Sequence, residues 1–118
     1  MTIATIYHNP RCSKSRATLT LLEAQAVDIE IIEYLTTPPS VEHLLALCQQ
    51  LNKKPVELIR HKEAVFKELG LSLTDTHSDE KWCQIMHDNP KLIERPIVIC
   101  NEKAALGRPP ENVLTLFS

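Results

Sequence analysis

Ten consecutive residues, Tyr7-His8-Asn9-Pro10-Arg11-Cys12-Ser13-Lys14-Ser15-Arg16, combine a thiol, an imidazole and three permanent cations. The apolar run at 3–7 precedes the thiol as a strand, and a helical pattern follows it, so Cys12 falls between a strand end and a helix start. A helix N-terminus carries about half a positive charge and unpaired N–H groups. Arg11, Lys14 and Arg16 add positive charge, and His8 adds more when protonated. Both effects favour thiolate over thiol. The same N–H groups suit an oxyanion. This is the chemistry of a nucleophilic thiol acting on an anionic electrophile, with Cys12 as the nucleophile.

The size of each effect decides what such a site is for. A thiol pKa lowered from about 8.5 to about 6.5 raises the thiolate fraction at pH 7 from roughly 3% to roughly 75%. Intrinsic nucleophilicity falls at the same time by roughly 6–10-fold, leaving a gain of only a few-fold. The larger benefit is electrostatic: holding an anion and stabilising charge as it develops.

The other three cysteines read as packing residues. Cys48 lies on the apolar stripe of a helix, and Cys100 follows Ile97-Val98-Ile99 in a strand. Cys83 sits beside Trp82 and reads as half-buried. Cys83 and His87 are four apart, but two ligands do not make a zinc site, so no metal is expected. Three arginines stand at joints between elements, where active-site rims form. Arg60 closes a short helix, Arg95 precedes Pro96, and Arg108 lies between Gly107 and Pro109. Arginine suits planar, bidentate contact with oxyanions.

The elements that must position these groups follow from punctuation and periodicity. A strand at 3–7 turns at Asn9-Pro10, and Ser13 is the expected N-cap of a helix over about 14–26 with Leu19, Leu22 and Ala26 inward. A second strand follows at 29–34. Ser40 caps a helix over about 41–51, Pro55 opens a short helix to 59, and another piece covers 62–69. Ser78 or Asp79 caps a helix to about 88, with Trp82, Ile85 and Met86 inward. A strand at 96–100 turns at Asn101-Glu102 into a return strand at 103–106. A last helix starts at Pro109 or Pro110, with Val113, Leu114 and Phe117 inward. The order β-α-β, helices, β-β-α predicts an α/β fold: a four-stranded mixed sheet flanked by helices, on the thioredoxin-like plan. The chain reads as a single domain over 1–118 with a helical insert at about 40–90.

Composition narrows the class. The chain has 118 residues, 43% hydrophobic and 24% charged, with net charge -2. That balance argues against a nucleic-acid or membrane-surface binder, which would be basic. No apolar run reaches the ~20 residues a bilayer span needs. The first ten residues lack the pattern of a signal peptide. Four dispersed cysteines read as thiols in a reducing cytoplasm.

The motif Tyr7-His8-Asn9-Pro10-x-Cys12-x-x-Ser15-Arg16 resembles the active-site loop of the glutaredoxin-coupled arsenate reductases, a thioredoxin-like family. The resemblance continues at Tyr34-Leu35-x-x-Pro38-Pro39, Leu58-Ile59-Arg60, Glu68-Leu69-Gly70-Leu71, Asn89-Pro90-x-Leu92-Ile93-x-Arg95-Pro96-Ile97-Val98 and Gly107-Arg108-Pro109. It implies that Cys12 attacks arsenate, that Arg60, Arg95 and Arg108 hold the oxyanion, and that His8 and Ser15 support the thiolate. It implies glutathione as co-substrate, glutaredoxin as partner, no tightly bound cofactor, and a cis proline at Pro96. Two features depart from the family pattern: Ser13-Lys14 replaces a small neutral pair, and the chain stops at Ser118 without a C-terminal extension. Two alternatives stand beside this reading. One is a glutathione-linked reductase of another substrate. The other is a redox-related regulator that binds RNA polymerase, disfavoured because Ser15 stands where a C-x-x-C switch needs cysteine.

Overall fold

The computed structural model describes residues 3–117. They form two compact units. One comprises the chain up to Thr37 together with the chain from Arg95 on, and the other is Pro38–Glu94.

The first unit is built on a four-stranded mixed sheet in the order β2-β1-β3-β4. β1 (Ile3–Tyr7) pairs in parallel with β2 (Asp28–Ile32), an edge strand. β1 also pairs antiparallel with β3 (Ile97–Cys100), which pairs antiparallel with β4 (Lys103–Leu106). The β3–β4 connection is a two-residue turn, Asn101-Glu102, with φ of 53° and 65°. Positive φ at both central residues matches the twist of a tight hairpin. The parallel β1–β2 pair needs a crossover, and α1 (Ser13–Glu23) supplies it.

One face of the sheet carries the core. Ala4 and Ile6 of β1, Val98 and Cys100 of β3, and Leu22 of α1 are buried with Val113 and Leu116 of the C-terminal segment. Alternation along each strand puts these residues on a single face. Full burial of each large aliphatic side chain contributes roughly 1.5–3 kcal/mol.

Several boundaries differ from the sequence reading. α1 ends at Glu23, three residues early, and Ala26 is exposed beyond it. β2 ends at Ile32 because the chain turns at Glu33, whose carbonyl accepts N–H bonds from Thr36 and Thr37 at 3.0 Å each. The C-terminal segment Pro110–Phe117 is a 3-10 helix, not an α-helix. Its buried residues Val113 and Leu116 are three apart, the period of a 3-10 turn. Leu114, expected inward, is therefore exposed, and Phe117 is half-buried.

The second unit packs α2 (Val41–Leu51) against α4 (Asp79–Asp88). Each begins at a serine whose hydroxyl accepts an N–H: Ser40 from His43 and Ser78 from Lys81, both at 3.1 Å. Pro55–Leu58 and Pro90–Leu92 are 3-10 turns, and α3 (Ala64–Glu68) is a short helix between them. Leu44, Leu47 and Cys48 are buried on α2, and Trp82, Cys83, Ile85 and Met86 on α4. Cys83 is fully buried rather than half-buried.

Candidate active site

β1 delivers its C-terminal end to the site. The ladder continues one residue past the strand, where His8 N–H donates to the Ile32 carbonyl at 2.8 Å. The chain then reverses through Asn9, Pro10 and Arg11. Asn9 accepts twice: its side-chain Oδ1 from Arg11 N–H at 3.0 Å, and its carbonyl from Cys12 N–H at 3.0 Å. An asparagine that closes its own turn in this way fixes the loop locally. Arg16 Nη1 donates to the Pro10 carbonyl at 2.9 Å and ties the turn back to the helix.

Cys12, not Ser13, is the N-cap residue of α1, with φ -96° and ψ 123°. Among the described residues its side chain makes no capping hydrogen bond, so the sulfur is not committed to the helix. Serine at 13 is the better capper by type, but the turn closed by Asn9 holds residue 12 in the extended conformation that the cap position requires. The N–H groups of Ser13, Lys14 and Ser15 fall in the first turn, where no intrahelical acceptor exists. Cys12 is 9% exposed as a residue, while Arg11, Lys14 and Arg16, its neighbours along the chain, are exposed.

Ser15 and His8 form one buried group. Ser15 is fully buried, and its Oγ lies 2.7 Å from His8 Nδ1 and accepts Asn9 N–H at 3.0 Å. Burial holds the His8 pKa below the usual histidine value; Arg16 pushes the same way and Glu33 opposes. A neutral imidazole can accept the Ser15 hydroxyl proton at Nδ1, with the ring proton on Nε2, or donate from Nδ1 to Oγ in the other tautomer. Ser15 thereby joins strand end, turn and helix at a single oxygen.

Sheet register brings two of the three arginines to the same end. Tyr7 pairs with Ile97, and Ile97 with Leu106. The residues just beyond β1, just before β3 and just after β4 therefore lie at one end of the sheet: His8, Arg95 with Pro96, and Gly107 with Arg108, while Cys12 follows His8 at the start of α1. Two hydrogen bonds fix the arginine segments to each other: Gly107 N–H to the Pro96 carbonyl and Arg108 Nε to the Arg95 carbonyl, both at 2.9 Å. Arg95 is half-buried, with Nε and Nη1 inside the protein, whereas Arg108 is exposed. The peptide bond before Pro96 is cis, and so is the one before Pro109. Asn112, which the sequence did not single out, donates its side-chain amide to the Arg108 carbonyl at 3.0 Å.

Arg60 belongs to the other unit. There its Nη1 is paired closely with Glu63, and its Nε lies 3.7 Å from Glu94 Oε1. Its backbone N–H donates to the Leu92 carbonyl at 2.7 Å.

The sequence pattern of the ArsC family matches residues 7–116. The chain belongs to the ArsC family. Among curated ArsC relatives, it is 44% identical over 109 residues to an arsenate reductase of Neisseria meningitidis serogroup A, covering 92% of each chain. It is 51% identical over 112 residues to Escherichia coli K12 YfgD, a protein described as uncharacterized, covering 94% of this chain and 93% of that one. Among solved structures, the arsenate reductase of Vibrio cholerae superposes with a TM-score of 0.90 at 50% identity, covering 98% of each chain. The thioredoxin-like architecture of the ArsC fold is thus the architecture of this chain.

The thiols of this ArsC chain separate by environment. Burial pushes Cys48 up to about 12 and Cys83 up to about 11, and it raises Cys100 as well. At pH 8 a thiol of pKa 11 to 12 is thiolate in only about one molecule in 10³ to 10⁴. Iodoacetamide at pH 8 is therefore expected to alkylate Cys12 at least about tenfold faster than any other cysteine. Peptide mass spectrometry over a time course reads this directly. Equal labelling of Cys83 or Cys100 in the folded protein would remove Cys12 from its special position.

Proposed function

We propose that this chain reduces arsenate to arsenite through a covalent adduct on Cys12. The observation that supports the reading is that Arg95 and Arg108 flank the end of the sheet from which β1 runs into the Cys12 loop, in a chain whose ArsC relatives include arsenate reductases.

The chemistry balances with one protein thiol. Cys12 displaces water from arsenic acid, R–SH + AsO(OH)₃ giving R–S–AsO(OH)₂ + H₂O. The guanidinium groups of Arg95 and Arg108 neutralise the oxyanion, and the α1 N–H groups meet charge that develops on its oxygens. Glutathione then attacks the Cys12 sulfur. The S–As bond breaks, its electron pair stays on arsenic, and As(III) leaves as As(OH)₃, with Cys12 and glutathione joined as a mixed disulfide. The two electrons come from the two sulfurs. A glutaredoxin thiolate removes the glutathione by thiol–disulfide exchange. His8 and Ser15 hold the loop that presents Cys12. Arg60 enters this proposal through the resemblance. Four free thiols suit a reducing compartment such as the cytoplasm.

The test is a coupled assay containing arsenate, glutathione, glutaredoxin, glutathione reductase and NADPH, with arsenite measured directly. Arsenite formation that depends on both glutathione and glutaredoxin is the expected result. Arsenite formation with thioredoxin in place of glutaredoxin would keep the arsenate reading and overturn the coupling. No arsenite under any reductant would overturn the reading itself.

A further inference from the structure

Gly107, the one glycine of the sheet unit, is closely packed. A Cβ on this residue would stand 2.4 Å from Thr18 Oγ1 and 2.6 Å from Pro96 Cγ. Neither neighbour can withdraw freely. Thr18 is fully buried, and its hydroxyl donates to the Lys14 carbonyl at 2.8 Å, in the first turn of α1. Pro96 is buried, its ring is closed on the backbone, and its carbonyl accepts Gly107 N–H.

Three segments therefore meet at one bare Cα. Through Thr18 and Lys14 it touches the helix turn that follows Cys12. Through Pro96 it touches the residue after Arg95. Its own next residue is Arg108. We infer that Gly107 is a positioning residue, whose missing side chain sets the separation between the thiol-bearing helix and the two arginine segments. The inference rests on the oxyanion reading above. If one anion is to meet the Cys12 sulfur and both guanidinium groups at once, that separation has little tolerance. Reacting atoms must come within about 3–3.5 Å, and a misplacement of about 1 Å costs about 10²-fold.

The experiment compares wild type, Gly107→Ala, Thr18→Ala and the double variant. Two quantities are read: kcat/KM for arsenate, and protection of Cys12 by arsenate or sulfate against iodoacetamide. Gly107→Ala is expected to lower kcat/KM by about 30–100-fold and to weaken anion protection by at least about tenfold. The alkylation rate without anion is expected to stay within about threefold, because a neutral reagent needs only the thiol. Thr18→Ala removes the 2.4 Å obstacle, so the double variant is expected to recover at least about fivefold over Gly107→Ala. Relief of the clash restores folding and positioning alike in such a contacting pair, so the discriminating readout is anion protection of a folded Gly107→Ala protein, which a glycine needed only for folding would leave at the wild-type level. If Gly107→Ala does not fold, the double variant is read against Thr18→Ala, with a smaller loss of anion protection expected in the same direction, because Pro96 Cγ still crowds the added Cβ; protection equal to that of Thr18→Ala overturns the inference.

The inference is overturned if Gly107→Ala keeps kcat/KM and protection within about threefold of wild type, or if the double variant is worse than the single one. Anion protection absent from wild type as well would overturn the oxyanion reading together with this inference. Protection intact in both wild type and Gly107→Ala overturns the inference alone.

Discussion

Replacing Cys12 by serine is expected to stop arsenite formation and leave the fold intact. A serine hydroxyl ionises far above neutral pH and cannot form a mixed disulfide, so the two-electron step has no donor on the protein. Loss of the nucleophile lowers turnover by at least about 10³-fold. The residue's structural work is small: its backbone makes the cap, and its side chain is not in a capping bond among the described residues. Circular dichroism and Tm close to wild type would confirm that only chemistry was lost. The complementary change replaces Cys48, Cys83 and Cys100 together by alanine or valine, leaving Cys12 as the sole cysteine. That protein is expected to keep arsenate turnover and to accumulate glutathione on Cys12 when glutaredoxin is left out, as intact mass shows. A required disulfide between Cys12 and any of the three would refute the single-thiol scheme.

Arg95→Ala is expected to lower kcat/KM for arsenate by about 10–150-fold. This follows from losing charge-assisted hydrogen bonds of roughly 1.5–3 kcal/mol. Arg95→Lys keeps the charge but loses the planar fork, and is expected to remain clearly impaired. The side chain is half-buried with two nitrogens inside the protein, so its reach is constrained in a way that an exposed arginine's is not. Arsenate or sulfate protection of Cys12 from alkylation is the direct reading, taken beside Tm to separate binding from packing. Equal protection and unchanged turnover in wild type and Arg95→Ala would show that Arg95 is not an anion ligand.

Local signals were legible because they depend on a few adjacent residues. Ser40 and Ser78 cap their helices as residue type suggests, and Asn101-Glu102 turns the hairpin. The parallel crossover followed from a strand, a helix and a strand in order. Residue type points to Ser13 as the cap, whereas the helix is capped at Cys12, because Asn9 accepts from the N–H groups of Arg11 and Cys12. The last helix is a 3-10 helix and not the expected α-helix, because Val113, Leu114, Leu116 and Phe117 contain both a three-residue and a four-residue spacing. Packing chose between them. What no local pattern could carry were contacts between distant segments: the Arg108 Nε bond to the Arg95 carbonyl, and the closeness of Gly107 to Thr18 and Pro96. An invariant of the fold at these points is a distance, and a distance across the sheet leaves no periodicity in the sequence. The two hydrogen bonds at Ser15 Oγ are of the same kind.

The two-residue turn at Asn101-Glu102 places a limit on how this chain can change in length. Because the turn is as short as a hairpin allows, the number of residues from Arg95 to Arg108 is tied to the ladder between β3 and β4. Adding or removing one residue within a strand would send the following side chains to the opposite face. It would also move Arg108 by about one strand residue, roughly 3.4 Å, relative to Arg95. Insertions at the turn itself escape this, because they lengthen a loop at the far end of the hairpin and leave the ladder as it is. Length variation that preserves the site is therefore confined to that tip, and the segments on either side of it behave as a fixed ruler.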